Sequence, residues 1–116
     1  MPKRGERAAP PARPGGWEIR FASKGSADGW EDFARTASNA LWAAWEALST
    51  SPTQATNPSR QKRLRGELGI AMVGGKPLPQ WQYEVTSGGR IWYCTDEARR
   101  IVWLTYASTS HPKQTE

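Results

Sequence analysis

Three consecutive runs, Trp81-Gln82-Tyr83-Glu84-Val85-Thr86, Arg90-Ile91-Trp92-Tyr93-Cys94-Thr95 and Ile101-Val102-Trp103-Leu104-Thr105-Tyr106, are rich in aromatic and β-branched residues, with only a few residues between them. Such side chains suit a pleated, half-buried surface. Connections as short as Ser87-Gly88-Gly89 and Asp96 to Arg100 join neighbouring antiparallel strands. The C-terminal half is therefore expected to be a three-stranded antiparallel meander onto which the rest of the chain packs.

The Gly88-Gly89 turn decides which side chains share a face, because a slip of one residue flips one strand's pattern relative to the other. A two-residue turn sets Arg90 beside Val85, Tyr83 and Trp81, stranding a guanidinium among large rings at a cost of several kcal/mol. A three-residue loop, Ser87 to Gly89 with a glycine in the left-handed conformation, instead puts Arg90, Trp92 and Cys94 on one face with Thr86, Glu84 and Gln82. Ile91, Tyr93, Val85, Tyr83 and Trp81 then form an apolar face for helices to cover. The second register is expected, giving one greasy face and one working face.

Upstream, Trp17-Glu18-Ile19-Arg20-Phe21-Ala22 alternates apolar and polar residues and reads as a first strand. Ser23 or Ser26 can cap a following helix in which Trp30, Phe33, Ala34 and Ala37 recur at helical spacing. Leu41, Trp45 and Leu48 continue the pattern after Ser38-Asn39 until Pro52, giving either a helical hairpin or one kinked helix. The tryptophans at 30, 42, 45 and 81 are expected in the core. Ser49 to Ser59 is a loop by composition, Arg60 to Arg65 a basic segment, Glu67 to Val73 a further strand, and Gly74 to Pro79 a turn or loop. The fold class is thus α+β, with two N-terminal helices on a small, mainly antiparallel sheet of four to five strands.

Residues 1–16 hold four prolines and three glycines, too little apolar surface to offset ordering, and read as a flexible basic arm before a single domain over 17–116. Twelve aromatic residues, seven of them Trp, supply that domain's core without a disulfide or metal. Cys94 is the single cysteine and sits in an apolar run, which suits a reducing compartment. Neither a membrane span nor the apolar segment of a secretion signal is present, so a cytoplasmic protein is expected.

The net charge of +5 favours polyanionic partners, and its distribution is uneven. The arm carries +3, Arg60, Lys62, Arg63 and Arg65 put four cations in six residues, and Ser23 to Thr50 carries −2. No phosphate loop or dinucleotide fingerprint occurs, and one His and one Cys do not make a zinc site. What remains is a cation set, Lys62, Arg63, Arg65, Arg90 and Lys113, with His111 beyond the last strand. Arginine binds phosphate through paired hydrogen bonds, which suits RNA docking and a crowded phosphorane-like transition state alike.

The order of a helical hairpin, Lys62-Arg63-Leu64-Arg65-Gly66, Tyr83-Glu84-Val85, Gly88-Gly89-Arg90-Ile91-Trp92-Tyr93, an acidic turn at Asp96 and a last strand from Ile101 to Ala107 resembles the RelE/ParE superfamily of toxin–antitoxin toxins. The resemblance covers Trp17 to Lys113. It implies a small antiparallel sheet against two helices, and either mRNA cleavage, often on the ribosome, or inhibition of DNA gyrase. An antitoxin partner is implied, and no cofactor. Arg90 matches the arginine that contacts the scissile phosphate, Arg65 a phosphate-docking position, and His111 the C-terminal proton-transfer residue. Gln82 and Glu84 stand where RelE has two lysines, so a carboxylate base replaces a lysine-based scheme. Metal-free cleavage needs a base, an acid and a cation: Glu84 or His111 is the candidate base, His111 or Tyr83 the acid, and Arg90 with Arg65 the stabiliser. Lys62, Arg63 and Lys113 are expected to bind RNA, with Trp92 placed to stack on a base. A ParE-like gyrase binder, or a member without catalysis, is the alternative.

Overall fold

The computed structural model describes residues 4–6, 14–53 and 59–110. Along them run β1 (Glu18–Phe21), α1 (Lys24–Thr36), α2 (Ser38–Thr50), β2 (Gln61–Arg63), a 3-10 turn (Gly66–Gly69), β3 (Ile70–Val73), β4 (Lys76–Glu84), β5 (Arg90–Asp96) and β6 (Ile101–Ser108). The strands form one sheet in the order β1-β6-β5-β4-β2, with β3 paired to the first half of β4. β1 lies parallel to β6, and the remaining pairings are antiparallel. The fold is α+β with two helices N-terminal to the meander, and the helix pair carries the chain from β1 at one edge of the sheet to β2 at the other. The sheet has about six strands rather than four to five, and it is mixed.

Ser23 starts α1, its Oγ accepting from the Ser26 amide at 3.1 Å. Ala37, at φ −150° and ψ 54°, breaks the helical path, so the segment is two helices and not one kinked rod. α1 and α2 cover one sheet face, where Phe33 and Leu48 meet Ile19, Phe21, Ile91, Tyr93, Val102 and Leu104 in one buried cluster. Helix and sheet approach so closely that a Cβ at Gly29 would overlap the Ala107 carbonyl. Trp42 departs from the core expectation: it is 56% exposed and stacks on Trp45 at 5.1 Å. No helix among the described residues is long and apolar enough to cross a membrane.

The expected sharing of faces holds, while the turn differs. Glu84 pairs with Arg90, Gln82 with Trp92 and Gln80 with Cys94. The Val85 amide donates to the Gly89 carbonyl at 3.0 Å, so the loop is Thr86 to Gly88 and the pairing is slid by two residues, which preserves parity. Neither Gly88 nor Gly89 has positive φ. Gly89 is needed for space instead, because a Cβ there would lie 2.6 Å from the Phe33 ring.

Two segments depart from their reading. Glu67 to Gly69 belongs to the 3-10 turn, so that strand begins only at Ile70. Lys76 to Pro79 is strand rather than loop, with β4 running unbroken from Lys76 to Glu84. The prolines fit because alternate residues point to the same edge: the Gln80 carbonyl accepts from Leu64 on the β2 side, so Pro77 and Pro79 point the other way. There the pairing with β5 begins only at Gln80. Of the expected arm, residues 1–3 and 7–13 lie outside the described residues. Gly5 donates to the Phe21 carbonyl at 2.6 Å and Phe21 to that of Glu6 at 3.0 Å, along the outer edge of β1.

Candidate functional site

The sheet face turned away from the helices carries Glu84 and Gln82 from β4, Arg90, Trp92, Cys94 and Asp96 from β5, Trp103, Thr105 and Tyr106 from β6, and Lys62 from β2, as their pairings require. Thr105 and Tyr106 both reach this face because a bulge opposite Trp92 and Tyr93 adds one residue to β6. Thr105 bonds to Gln80, and Tyr106 packs against Trp92 with ring centres 4.8 Å apart.

Arg90 opens β5 at the turn end of this face. Its Nη1 donates to the carbonyls of Thr86 at 3.2 Å, Ser87 at 3.2 Å and Gly89 at 3.3 Å, and lies 3.5 Å from the Glu84 carboxylate. The residue is only 9% exposed, and its buried Nε has no hydrogen-bond partner. Glu84 is partly exposed and is flanked on its other side by Arg60. Glu84 donates its amide to the Arg60 carbonyl at 2.7 Å, and Arg60 Nη1 returns a bond to the Glu84 carbonyl at 3.0 Å. Arg90 thus faces the Glu84 carboxylate, Arg60 holds the Glu84 and Val85 backbone carbonyls, and Lys62 lies across from Gln82, two residues along β4.

The other sequence candidates fall elsewhere. Gln82 accepts from the Trp92 indole at 2.9 Å, and both are buried. Tyr83 faces the helices. Arg63 pairs across from Trp81 and donates to the carbonyls of Gly69 at 2.8 Å and Gln80 at 3.2 Å. Arg65 is exposed just before the 3-10 turn, beyond the level of Gln80. Four strand residues separate Gln80 from Glu84, so Arg65 stands at least about 13 Å along the sheet from the Arg90 corner. His111 and Lys113 lie outside the described residues. Arg60 was not singled out in the sequence; its position as first cation of the basic run was the available signal, but only the antiparallel pairing of β2 with β4 puts it beside Glu84. Tyr106 had no signal, since its orientation depends on the bulge.

Burial pushes the Cys94 thiol up to about 11, against smaller opposing effects of the Ala71 backbone and the Arg63 charge. Burial likewise holds the Tyr93 phenol above its ordinary range. Neither group is set up as a nucleophile or base near neutral pH. No protein-family model matches the chain, and no curated protein matches it.

Proposed function

We infer that the protein is a toxin of the RelE type, a metal-independent endoribonuclease that cuts mRNA at the ribosome, arrests growth in the cytoplasm and is neutralised by an antitoxin. The observation that carries this reading is the Arg90 corner: a guanidinium on the non-helical face with its Nε unpaired, Glu84 at 3.5 Å, Lys62 on the adjoining strand and Arg60 just before it, bonded to the Glu84 backbone. The order of strand, two helices and meander supports it as well. In this scheme Glu84 takes the proton of a 2′-hydroxyl, the 2′-oxygen attacks the adjacent phosphorus, and the bond to the 5′-oxygen breaks. The products are a 2′,3′-cyclic phosphate and a 5′-hydroxyl whose proton comes from His111. Ser108 pairs with Arg90, and His111 follows it three residues later in the sequence. Arg90 faces the nonbridging oxygens, where charge develops. Arg60 takes the docking part assigned from sequence to Arg65.

The test is induced expression in a growing culture together with purified protein on translating ribosomes. Truncated mRNA is expected, and Arg90→Ala is expected to abolish both cleavage and growth arrest while remaining folded by circular dichroism. Full toxicity of that variant would remove the centre of the reading. A second reading, binding without cleavage as in ParE-like gyrase inhibitors, is favoured by the three turn carbonyls already holding Arg90 and by Gln82 being committed to Trp92. Intact mRNA with a DNA-damage response would select it.

A further inference from the structure

A cavity of about 590 Å³ lies at the opposite end of the same face, between the β3–β4 hairpin tip, the β5–β6 turn and the outer edge of β1. Its chemistry comes from Asp96, Trp103, Lys76, Arg99, Arg4 and Met72. Asp96 is six residues along β5 from Arg90, or about 20 Å, so this is a separate site.

Asp96 is the unusual member. It is 4% exposed, yet among the described residues its one hydrogen bond is a long one, 3.3 Å from the Arg99 amide. Lys76 and Arg99 approach its oxygens at 3.8 and 4.0 Å, which balances charge without making short hydrogen bonds. A carboxylate has room for about four donors. A buried one left this short is costly unless a ligand supplies them. Two parallel N–H donors on a flat, stackable ring would satisfy Asp96 and use the Trp103 ring beside it. The third cation of the lining, Arg4, is exposed and suits a phosphate.

We propose that this cavity binds a guanine nucleotide. Guanine presents N1–H and the exocyclic N2–H side by side to the Asp96 carboxylate, its ring lies on Trp103, and the phosphate meets Arg4. Adenine turns an unprotonated ring nitrogen toward the carboxylate and is rejected. The guanine belongs either to a free nucleotide or to a base of single-stranded RNA. Only the second source rests on the RNA reading above.

Calorimetric titration of the full chain with 5′-GMP, 5′-AMP and a single-stranded RNA nonamer containing one guanine tests this. GMP is expected to bind at least about tenfold more tightly than AMP, the scale of one well-made bidentate base contact. Asp96→Asn is expected to lose at least about tenfold, for the same reason. Arg4→Gln weakens GMP without touching the fold, which keeps the test decisive if Asp96→Asn unfolds. Arg90→Ala, made to abolish cleavage, binds GMP unchanged. Tighter binding of the nonamer than of GMP, lost when its guanine becomes adenine, identifies RNA as the source; equal binding identifies the free nucleotide. Equal affinity for GMP and AMP, no GMP binding at millimolar concentration, or a folded Asp96→Asn that binds as the wild type overturns the proposal, and each leaves the nuclease reading standing.

Discussion

Along β5 the two faces of the sheet are hidden from water to nearly the same degree by different chemistry. On the helix side Ile19, Phe21, Ile91, Tyr93, Val102 and Leu104 are at most 2% exposed, and apolar side chains from α1 and α2 cover them. On the other side Gln80, Gln82, Arg90, Trp92, Cys94 and Asp96 are at most 9% exposed, although no helix lies there. The β3–β4 hairpin does part of the covering: Gln80 donates to the Leu68 carbonyl at 2.8 Å, and the Cys94 thiol contacts the Leu78 carbonyl at 3.8 Å. The first face is stable because area leaves water. The second is stable because donors find acceptors, so its weak points are the unpaired Arg90 Nε and the sparsely bonded carboxylate of Asp96. Sites for ligands are expected on the second face for that reason.

The helix face should fail by overpacking. Gly29→Val places branched carbons against the Ala107 carbonyl, where backbone would have to move, and is expected to cost more than about 3 kcal/mol. That is a large fraction of the total stability of a domain this size, so a mostly unfolded protein by circular dichroism is the expected outcome. A folded Gly29→Val with an unchanged melting midpoint would show that α1 does not sit tightly on β6.

The other face should fail by orphaning. Gln82→Leu nearly conserves volume, but it removes the acceptor of the Trp92 indole and is expected to cost about 2 kcal/mol. Ile91→Val, which deletes a methylene directly from the apolar core, is expected to cost about 1 kcal/mol. Urea midpoints of the two variants give the comparison directly. If Gln82→Leu proves neutral while Ile91→Val does not, the two faces are held by the same apolar burial and the distinction between them is lost.

How much of this could be read from the chain depended on the range of the interactions. The meander and the helix pair were legible because the alternation of Tyr83, Val85, Ile91 and Tyr93 and the spacing of Leu41, Trp45 and Leu48 are local patterns. Which side Arg90 takes was legible from parity, even though the turn closes with a different loop. β2 was hidden because Gln61-Lys62-Arg63 is a three-residue edge strand without alternation, and the start of β4 because Pro77 and Pro79 mask a strand whose relevant edge is unpaired. Burial of the polar face was not legible at all. It arises from contacts such as Gln80 with Leu68 and Thr105, which depend on how the hairpin folds back. The same holds for the site: Arg65 was grouped with Arg90, whereas the antiparallel course of β2 brings Arg60 to that corner and carries Arg65 away.

A pH-dependent effect probes the cover over the polar face. Burial raises the Cys94 thiol from 9.0 to about 11, so between those values the unfolded chain gives up a proton that the folded chain keeps. A raised folded value means the contribution is complete below about pH 9 and is lost as pH rises toward 11, at most about 3 kcal/mol. Cys94→Ala removes this part of the alkaline decline while lysines and Tyr93 titrate alike in both proteins. The difference in unfolding free energy between the two is therefore expected to shrink from pH 8 to pH 10.5 in urea titrations. A difference that stays constant over that range would mean water reaches Cys94 past Leu78 and Ala71, and the hairpin would then be an open flap over the sheet instead of its second layer.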